Sequence, residues 1–500
     1  MSRESLLASG TLQPQTCQTC PTPGAPILVN SPPETPCMRF LLFSVPELGH
    51  IVPILSIGKE LSRRGHKVQL ATCAFLAPKM ESLCAAARVD FVGLAREVQS
   101  PELATGKAAN LKRSGLTCNL YVYYSEAMYA AGRQLVEETR PHVIITDFMT
   151  IVGCRLGKET GVPVAVNFAD PVLFNLAGPS PRSLFPYVMA LSGPYLLRTK
   201  WASSAALFRI SENIRESIYT RLVFINSICA LQPKRPLPPN AFLTGPLGTR
   251  DAGELQESPF EMLNDWLAWV RAQRLRVVYV SFGTMVQLSV AHIMSLYSGL
   301  SDVPGIAVAW SLRLDQQQLL PVEAASLPKR FLVLPWFPQA ETVRLPEVKL
   351  AITHCGWGGL MEILAAGKPL VAVPFRGDQP SNAVAAYRQG VCEVLEKDRL
   401  SAALVRSAVK RVLDEASYRE SSERLQRALL SSGGALECAL RSEALGLDGL
   451  DISRKTPSQA MVALEAASLI LLTATAACMT KSLVKLLQHW RDHGWHGTAD

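Results

Sequence analysis

The sequence lacks several features that would each have named a class of protein. Its first 37 residues are rich in Ser, Thr, Gln and Pro and have no apolar run, so neither the basic start nor the hydrophobic stretch of a secretion signal is present. A disordered leader over 1–37 is the expectation. No block of Lys and Arg is interleaved with aromatics. The net charge of +8, from 50 basic and 42 acidic residues, is a small excess on a mixed surface, and nucleic acid is not an expected partner. Twelve cysteines are scattered from Cys17 to Cys478 without the spacing of a disulfide framework. Cys17 and Cys20 form a lone C-x-x-C with no second pair at zinc spacing, and free thiols in a reducing compartment are expected. No G-x-G-x-x-G follows the first apolar segment, which disfavours a dinucleotide-dependent oxidoreductase. None of the ten asparagines lies in an Asn-x-Ser/Thr sequon.

What is present is ample apolar material. At 500 residues and 48% hydrophobic the chain exceeds one compact core. Short apolar runs alternate with helical patterns. In the first half strands are predicted at Met38–Val45, Lys67–Cys73, Val89–Leu94, His142–Asp147, Val162–Phe168 and Arg221–Ile225. In the second they fall at Val277–Phe282, Gly305–Ser311, Phe331–Trp336, Lys349–His354 and Leu370–Phe375. Continuous apolar strands separated by helices predict parallel sheets. A Pro-dense stretch over 231–242 reads as a linker between an α/β domain at 38–230 and a second at 243–447. The tail, 448–500, holds a mostly apolar segment at 459–480 with one charge, Glu465. It is long enough to cross a bilayer, for which about 20 residues suffice, or to lie on its surface as an amphipathic helix.

In such sheets ligands bind beyond the carboxyl ends of the strands. There the sequence places Trp336-Phe-Pro-Gln339, His354-Cys-Gly-Trp357-Gly358-Gly359, Glu362 and Gly377-Asp378-Gln379. A Gly-rich turn opening a helix lets backbone N–H groups approach an anion such as a diphosphate. A carboxylate one helical turn further suits a sugar diol, and Trp336 suits stacking on a base. Val280-Ser281-Phe-Gly283-Thr284 is a second such turn, with two hydroxyls. In the first half, His50 follows the first strand and Asp147 ends another. Parallel strands bring both to one side, so a carboxylate could hold an imidazole that takes a proton. Taken alone, a histidine in a turn also reads as a helix cap.

The segment from Trp336 to Gln379 resembles the signature box of the family 1 UDP-glycosyltransferases, which have the GT-B fold. Trp336-x-Pro-Gln339, His354-x-Gly356, Glu362, Pro374 and Asp378-Gln379 match at the family's spacing. Gly245-Pro-Leu247, Val280-Ser-Phe-Gly283 and Gly49-His-x-x-Pro53 extend the likeness to roughly Met38–Leu447. The resemblance implies two Rossmann-like domains facing each other across a cleft, plus a C-terminal helical tail. It implies that Trp336 stacks on uracil with Gln339 beside it, and that His354 and the backbone of Gly356–Gly359 hold the diphosphate. Glu362 would bind the ribose, Asp378 and Gln379 the donor sugar, and His50 would be the catalytic base assisted by Asp147. Relatives often carry Asn at position 358 and Ser or Thr at 359. Here both are Gly, so the amides remain and a hydroxyl to phosphate is missing. No Asp-x-Asp occurs, and no metal or other cofactor is expected beside the UDP-sugar co-substrate.

The reaction expected is inverting transfer of a hexose, glucose before others, to a hydroxyl of a small lipophilic acceptor whose pocket is lined by 96–117 and 170–219. The alternative is a catalytically inactive homologue that binds a ligand or partner. His66 and His142, lying before strands, read as surface residues, and His292 and the tail histidines are given no role. With no signal peptide or sequon, the catalytic domains are expected at the cytoplasmic face, with 459–480 inserted in a membrane or lying on it.

Overall fold

The structure, a computed structural model, describes residues 36–99, 117–169, 209–232 apart from 211, 212, 215 and 219, 237–248, 257–283 and 286–449. The leader, the segment 459–480, Thr284 and most of the two expected acceptor segments lie outside the described residues. Among the described residues no helix is long and apolar enough to cross a membrane.

Two parallel sheets carry the fold. The first joins β1 (Arg39–Phe43), β2 (Lys67–Cys73), β3 (Asp90–Leu94), β4 (Val143–Asp147), β5 (Val164–Phe168), β6 (Leu222–Ile225) and β7 (Ala241–Leu243) in the order β3-β2-β1-β4-β5-β6-β7. Its helices are α1 (Leu48–Arg63), α2 (Ala77–Ala87), α3 (Thr117–Ala127), α4 (Tyr129–Thr139) and α5 (Ile151–Thr160). The second joins β8 (Arg276–Ser281), β9 (Ile306–Ser311), β10 (Phe331–Leu334), β11 (Val348–Thr353), β12 (Leu370–Ala372) and β13 (Cys392–Val394) in the order β10-β9-β8-β11-β12-β13. With it go α6 (Glu257–Ala272), α7 (Val290–Ser301), α8 (Trp357–Ala365), α9 (Gln379–Arg388), α10 (Ala402–Asp414), α11 (Ala416–Leu430) and α12 (Gly434–Asp448). The continuous apolar runs follow from burial on both faces. In β1, Leu41 and Phe43 enter one core while Phe40 and Leu42 enter the other.

Several differences from the sequence reading have simple causes. Phe331–Leu334 stops short of Trp336 because Pro335 has no N–H for a ladder. β7 and β13, three residues each, are too short to show a period. The segment read as a linker behaves differently as well. Ile228 and Leu231 pack with Trp266 and Leu267 of α6, after which the chain returns to pair β7 with β6.

α12 also returns to the first sheet, where Cys438, Ala439 and Leu445 join the core beneath β1. This corrects the placement of His66, which is 6% exposed rather than a surface residue. Its Nδ1 accepts the Met38 N–H at 3.2 Å, so the proton lies on Nε2, 2.7 Å from Glu443 of α12. Arg64 donates to the same carboxylate at 2.8 Å. Removing one member of such a buried set costs about 3–5 kcal/mol, because the others are left uncompensated. His142, half-buried, accepts the Arg39 N–H at 3.1 Å. His292 completes a capping box with Ser289 at the start of α7. Cys229 is disulfide-bonded, which corrects the expectation of free thiols throughout; seven other described cysteines are free.

Candidate functional site

Strand order reverses between β1 and β4 in the first sheet and between β8 and β11 in the second. At such a reversal the connections leave in opposite directions and open a crevice at the strand ends. The predicted residues gather at these two points. The halves touch where Trp357, just past β11, donates its indole N–H to the Asn226 carbonyl past β6 at 2.7 Å.

At the first point His50 lies in the opening turn of α1 and Asp147 ends β4. The Val45 N–H, past β1, donates to the Thr150 hydroxyl, past β4, at 2.8 Å and fixes the two loops together. Asp147 is fully buried, and its Oδ1 accepts the Met149 N–H at 2.9 Å. The other oxygen is thereby turned toward the imidazole, with Oδ2 3.0 Å from His50 Nδ1. The pair is at contact distance without the alignment of a formed hydrogen bond, as is common before substrate binds. Tyr121 and Phe148 confine the ring, with centroids 5.3 and 5.7 Å from it. A carboxylate facing Nδ1 favours the proton there and leaves the Nε2 lone pair to accept another.

At the second point Ser281 ends β8, and Gly283 turns with φ +64° against the ring of His354. A Cβ at Gly283 would lie 2.8 Å from His354 Cε1, and one at Gly356 would lie 2.6 Å from Nε2. Only glycine lets the backbone lie this close to the ring on both sides. Cys355, between His354 and Gly356, holds φ +62°, a strained value for a residue with a side chain. Burial pushes the His354 imidazole down to about 4, so it is neutral near pH 7.

Gly356 then caps α8, whose first amides belong to Trp357, Gly358 and Gly359. Glu362, further along α8, accepts from Gln339 Nε2 at 2.6 Å, and Gln339 Oε1 accepts from the Tyr279 hydroxyl at 3.3 Å. Burial pushes the Glu362 carboxyl up to about 7, against the lowering effect of the Gln339 bond. A Cβ at Gly359 would lie 3.0 Å from Gln339 Nε2, so this glycine leaves room for the Gln339–Glu362 contact. Trp336 is 54% exposed, a large aromatic face left open beside them.

Asp378 and Gln379 start α9. Asn382 donates to Asp378 at 2.6 Å, and Gln379 Oε1 accepts the Phe375 and Arg376 N–H groups at 2.9 and 3.0 Å. Burial raises the Asp378 carboxyl, and the bond from Asn382 and the nearby His50 oppose that rise. The side of the second half that holds Asp378 therefore faces the base candidate. The structure thus brings the predicted residues together, with two qualifications. Thr284 is outside the described residues, and the Trp357 side chain is buried toward Asn226, so only its backbone can serve a donor. Sequence reasoning missed Tyr121, Phe148 and Asn226, since confining a ring or a domain contact leaves no spacing signature. Among the described residues no three His, Cys, Asp or Glu side chains are grouped to hold a metal.

The fold is that of the GT-B glycosyltransferases. Residues 191–429 match the family model described as UDP-glucoronosyl and UDP-glucosyl transferase. Mogroside IIIx synthase of Siraitia grosvenorii is 26% identical over 390 residues, 70% of this chain and 80% of that protein. UDP-glycosyltransferase 76E1 of Arabidopsis thaliana is 22% identical over 468 residues, 83% of this chain and 96% of that protein. A solved Medicago truncatula glycosyltransferase complexed with UDP-glucose has the same fold at TM-score 0.65 and 16% identity, covering 81% of this chain and 98% of that one. Over the matched residues the chain is similar to the UDP-glycosyltransferase family.

Proposed function

We propose that the chain moves a hexose, glucose first among candidates, from a UDP-sugar to a hydroxyl of a small lipophilic acceptor with inversion, using His50 as general base and Asp147 as its partner. The observation that carries this reading is the imidazole held 3.0 Å from a fully buried carboxylate at a strand-order reversal. The acceptor hydroxyl gives its proton to His50 Nε2, and its oxygen attacks the anomeric carbon. The bond to the diphosphate breaks on the far side, and its electron pair leaves with UDP. Asp147 balances the imidazolium. The amides of Gly356–Gly359 and neutral His354 face the charge that develops on the diphosphate. Trp336 stacks on uracil, Glu362 takes the ribose hydroxyls and Asp378 and Gln379 orient the sugar. Support for glucose comes from the fold neighbour crystallised with UDP-glucose.

The test is a donor panel of UDP-glucose, UDP-glucuronate, UDP-galactose and UDP-N-acetylglucosamine, with mass detection on mixed phenol and sterol acceptors and proton NMR of the product. A β-linked hexoside from UDP-glucose is expected. An enzyme that binds UDP and transfers from none of the donors would refute the reading and leave the inactive homologue.

A further inference from the structure

Glu47 occupies the N-cap position of α1 with extended backbone, φ −130° and ψ 133°, yet its side chain does not cap the helix. The carboxylate instead accepts the Tyr121 hydroxyl at 2.6 Å. Tyr121 also sets its ring edge-on to His50, at 5.3 Å between centroids. One phenol thus touches the imidazole with its ring and the carboxylate with its hydroxyl, which puts Glu47 about one ring's breadth from the base.

The carboxylate is half-buried, and no Lys, Arg or His of the described residues pairs with it. One bond from Tyr121 leaves most of the roughly four acceptor positions of a carboxylate unused. Tyr124, nearly one turn further along α3, is 1% exposed, and its hydroxyl has no hydrogen-bond partner among the described residues. Burial raises that phenol, and the nearby Cys73 and Glu47 raise it further. Phe43, Val45, Cys73 and Phe148 belong to the same core cluster as both tyrosines, and the Glu97 carboxylate lies near Cys73. A buried hydroxyl without a partner is costly, and the half-buried carboxylate near it keeps acceptor positions open to a ligand.

We propose that Glu47, held by Tyr121 and backed by Tyr124, is an acceptor-specificity subsite that takes a second hydrogen-bond donor, a hydroxyl or an ammonium, close to the hydroxyl that His50 deprotonates. The subsite rests on the reading of the His50 side as the acceptor end. It narrows the acceptor from lipophilic to lipophilic with a neighbouring donor group.

Matched acceptors test it. Initial rates with UDP-glucose give kcat/KM for catechol against phenol and for tyramine against 4-ethylphenol, in wild type, Glu47→Gln and Glu47→Leu. UDP calorimetry on each protein checks that it is folded. A hydrogen bond to a charged group is worth about 1.5–3 kcal/mol, so the wild type is expected to prefer the donor-bearing member of at least one pair by about tenfold or more. In Glu47→Leu that ratio falls to within about twofold of one. Glu47→Gln keeps a neutral acceptor atom, so a catechol preference survives in part while a tyramine preference is lost; which pair responds distinguishes hydroxyl from ammonium. Flat ratios in an active wild type, or a preference that survives in Glu47→Leu, would overturn the subsite alone. A wild type that binds UDP but transfers to none of the four acceptors would overturn the subsite, and the donor panel with sterol acceptors then decides the transferase reading separately.

Discussion

The two halves share one strand order and each puts a histidine at the point where that order reverses, but the two rings are prepared for different work. His354 is pressed between Gly283 and Gly356, and its burial lowers it to about 4, which keeps it neutral. His50 lies at a helix start beside two aromatic rings, with a buried carboxylate 3.0 Å from one nitrogen. Desolvation alone makes an imidazole a fixed neutral hydrogen-bonding group, whereas desolvation with a partnered carboxylate makes it a proton acceptor. Under the proposed function, the same place in one topology would serve diphosphate binding in one half and base chemistry in the other.

The largest effect is expected at His50. His50→Ala should lower turnover by roughly 100-fold or more, the usual worth of general-base catalysis. Asp147→Asn keeps the shape of the site, loses the charge behind the imidazolium and should cost less. Steady-state rates on a simple phenol measure both.

The second half should respond in affinity. Glu362→Ala is expected to weaken UDP binding by about 1.5–3 kcal/mol, as for other hydrogen bonds to a charged group. Trp336→Ala should weaken it by about 1–3 kcal/mol through lost base stacking. Calorimetry with UDP reads both, and wild-type affinity in both variants would remove the nucleotide from this half.

A pH series sharpens the same point. Because Glu362 titrates at about 7 in the free protein, above its ordinary 4.5, ribose hydroxyls that favour the ionised form should drive proton release. UDP affinity should rise from pH 6 to pH 8 and level off above it, and Glu362→Gln should flatten the curve. Stability runs the other way. From about pH 4.5 to pH 7 the native state holds a proton on Glu362 that the unfolded chain has released, so this group's contribution falls as pH rises. The smallest effect concerns Gly359→Ala. Its Cβ would press on Gln339 and loosen the bond to Glu362, so a rise in the UDP Kd of about threefold, roughly 0.6 kcal/mol, is expected from titration.

Legibility in the sequence divided along the same line. Lys67–Cys73 could be read to the residue because both of its ends meet non-strand residues, and the Gly-rich turns after β8 and β11 announce themselves through residue types few other sites need. The first half gave weaker signals. His50 alone reads as a cap, and its meaning depends on Asp147, nearly a hundred positions away and brought beside it by the pairing of β1 with β4. Tyr121 and Glu47 carry no motif, because confining a ring requires shape rather than spacing. β7, the return of α12 and the burial of His66 against Glu443 depend on contacts far apart in the chain, which periodicity does not record.

The most direct test of the division of labour is UDP calorimetry on His50→Ala beside its turnover. If the first half holds the base and the second the nucleotide, UDP affinity stays within about twofold of wild type while turnover falls by roughly 100-fold. Turnover near wild type on a hydroxyl acceptor, or a loss of UDP affinity as large as the loss of turnover, would contradict the account.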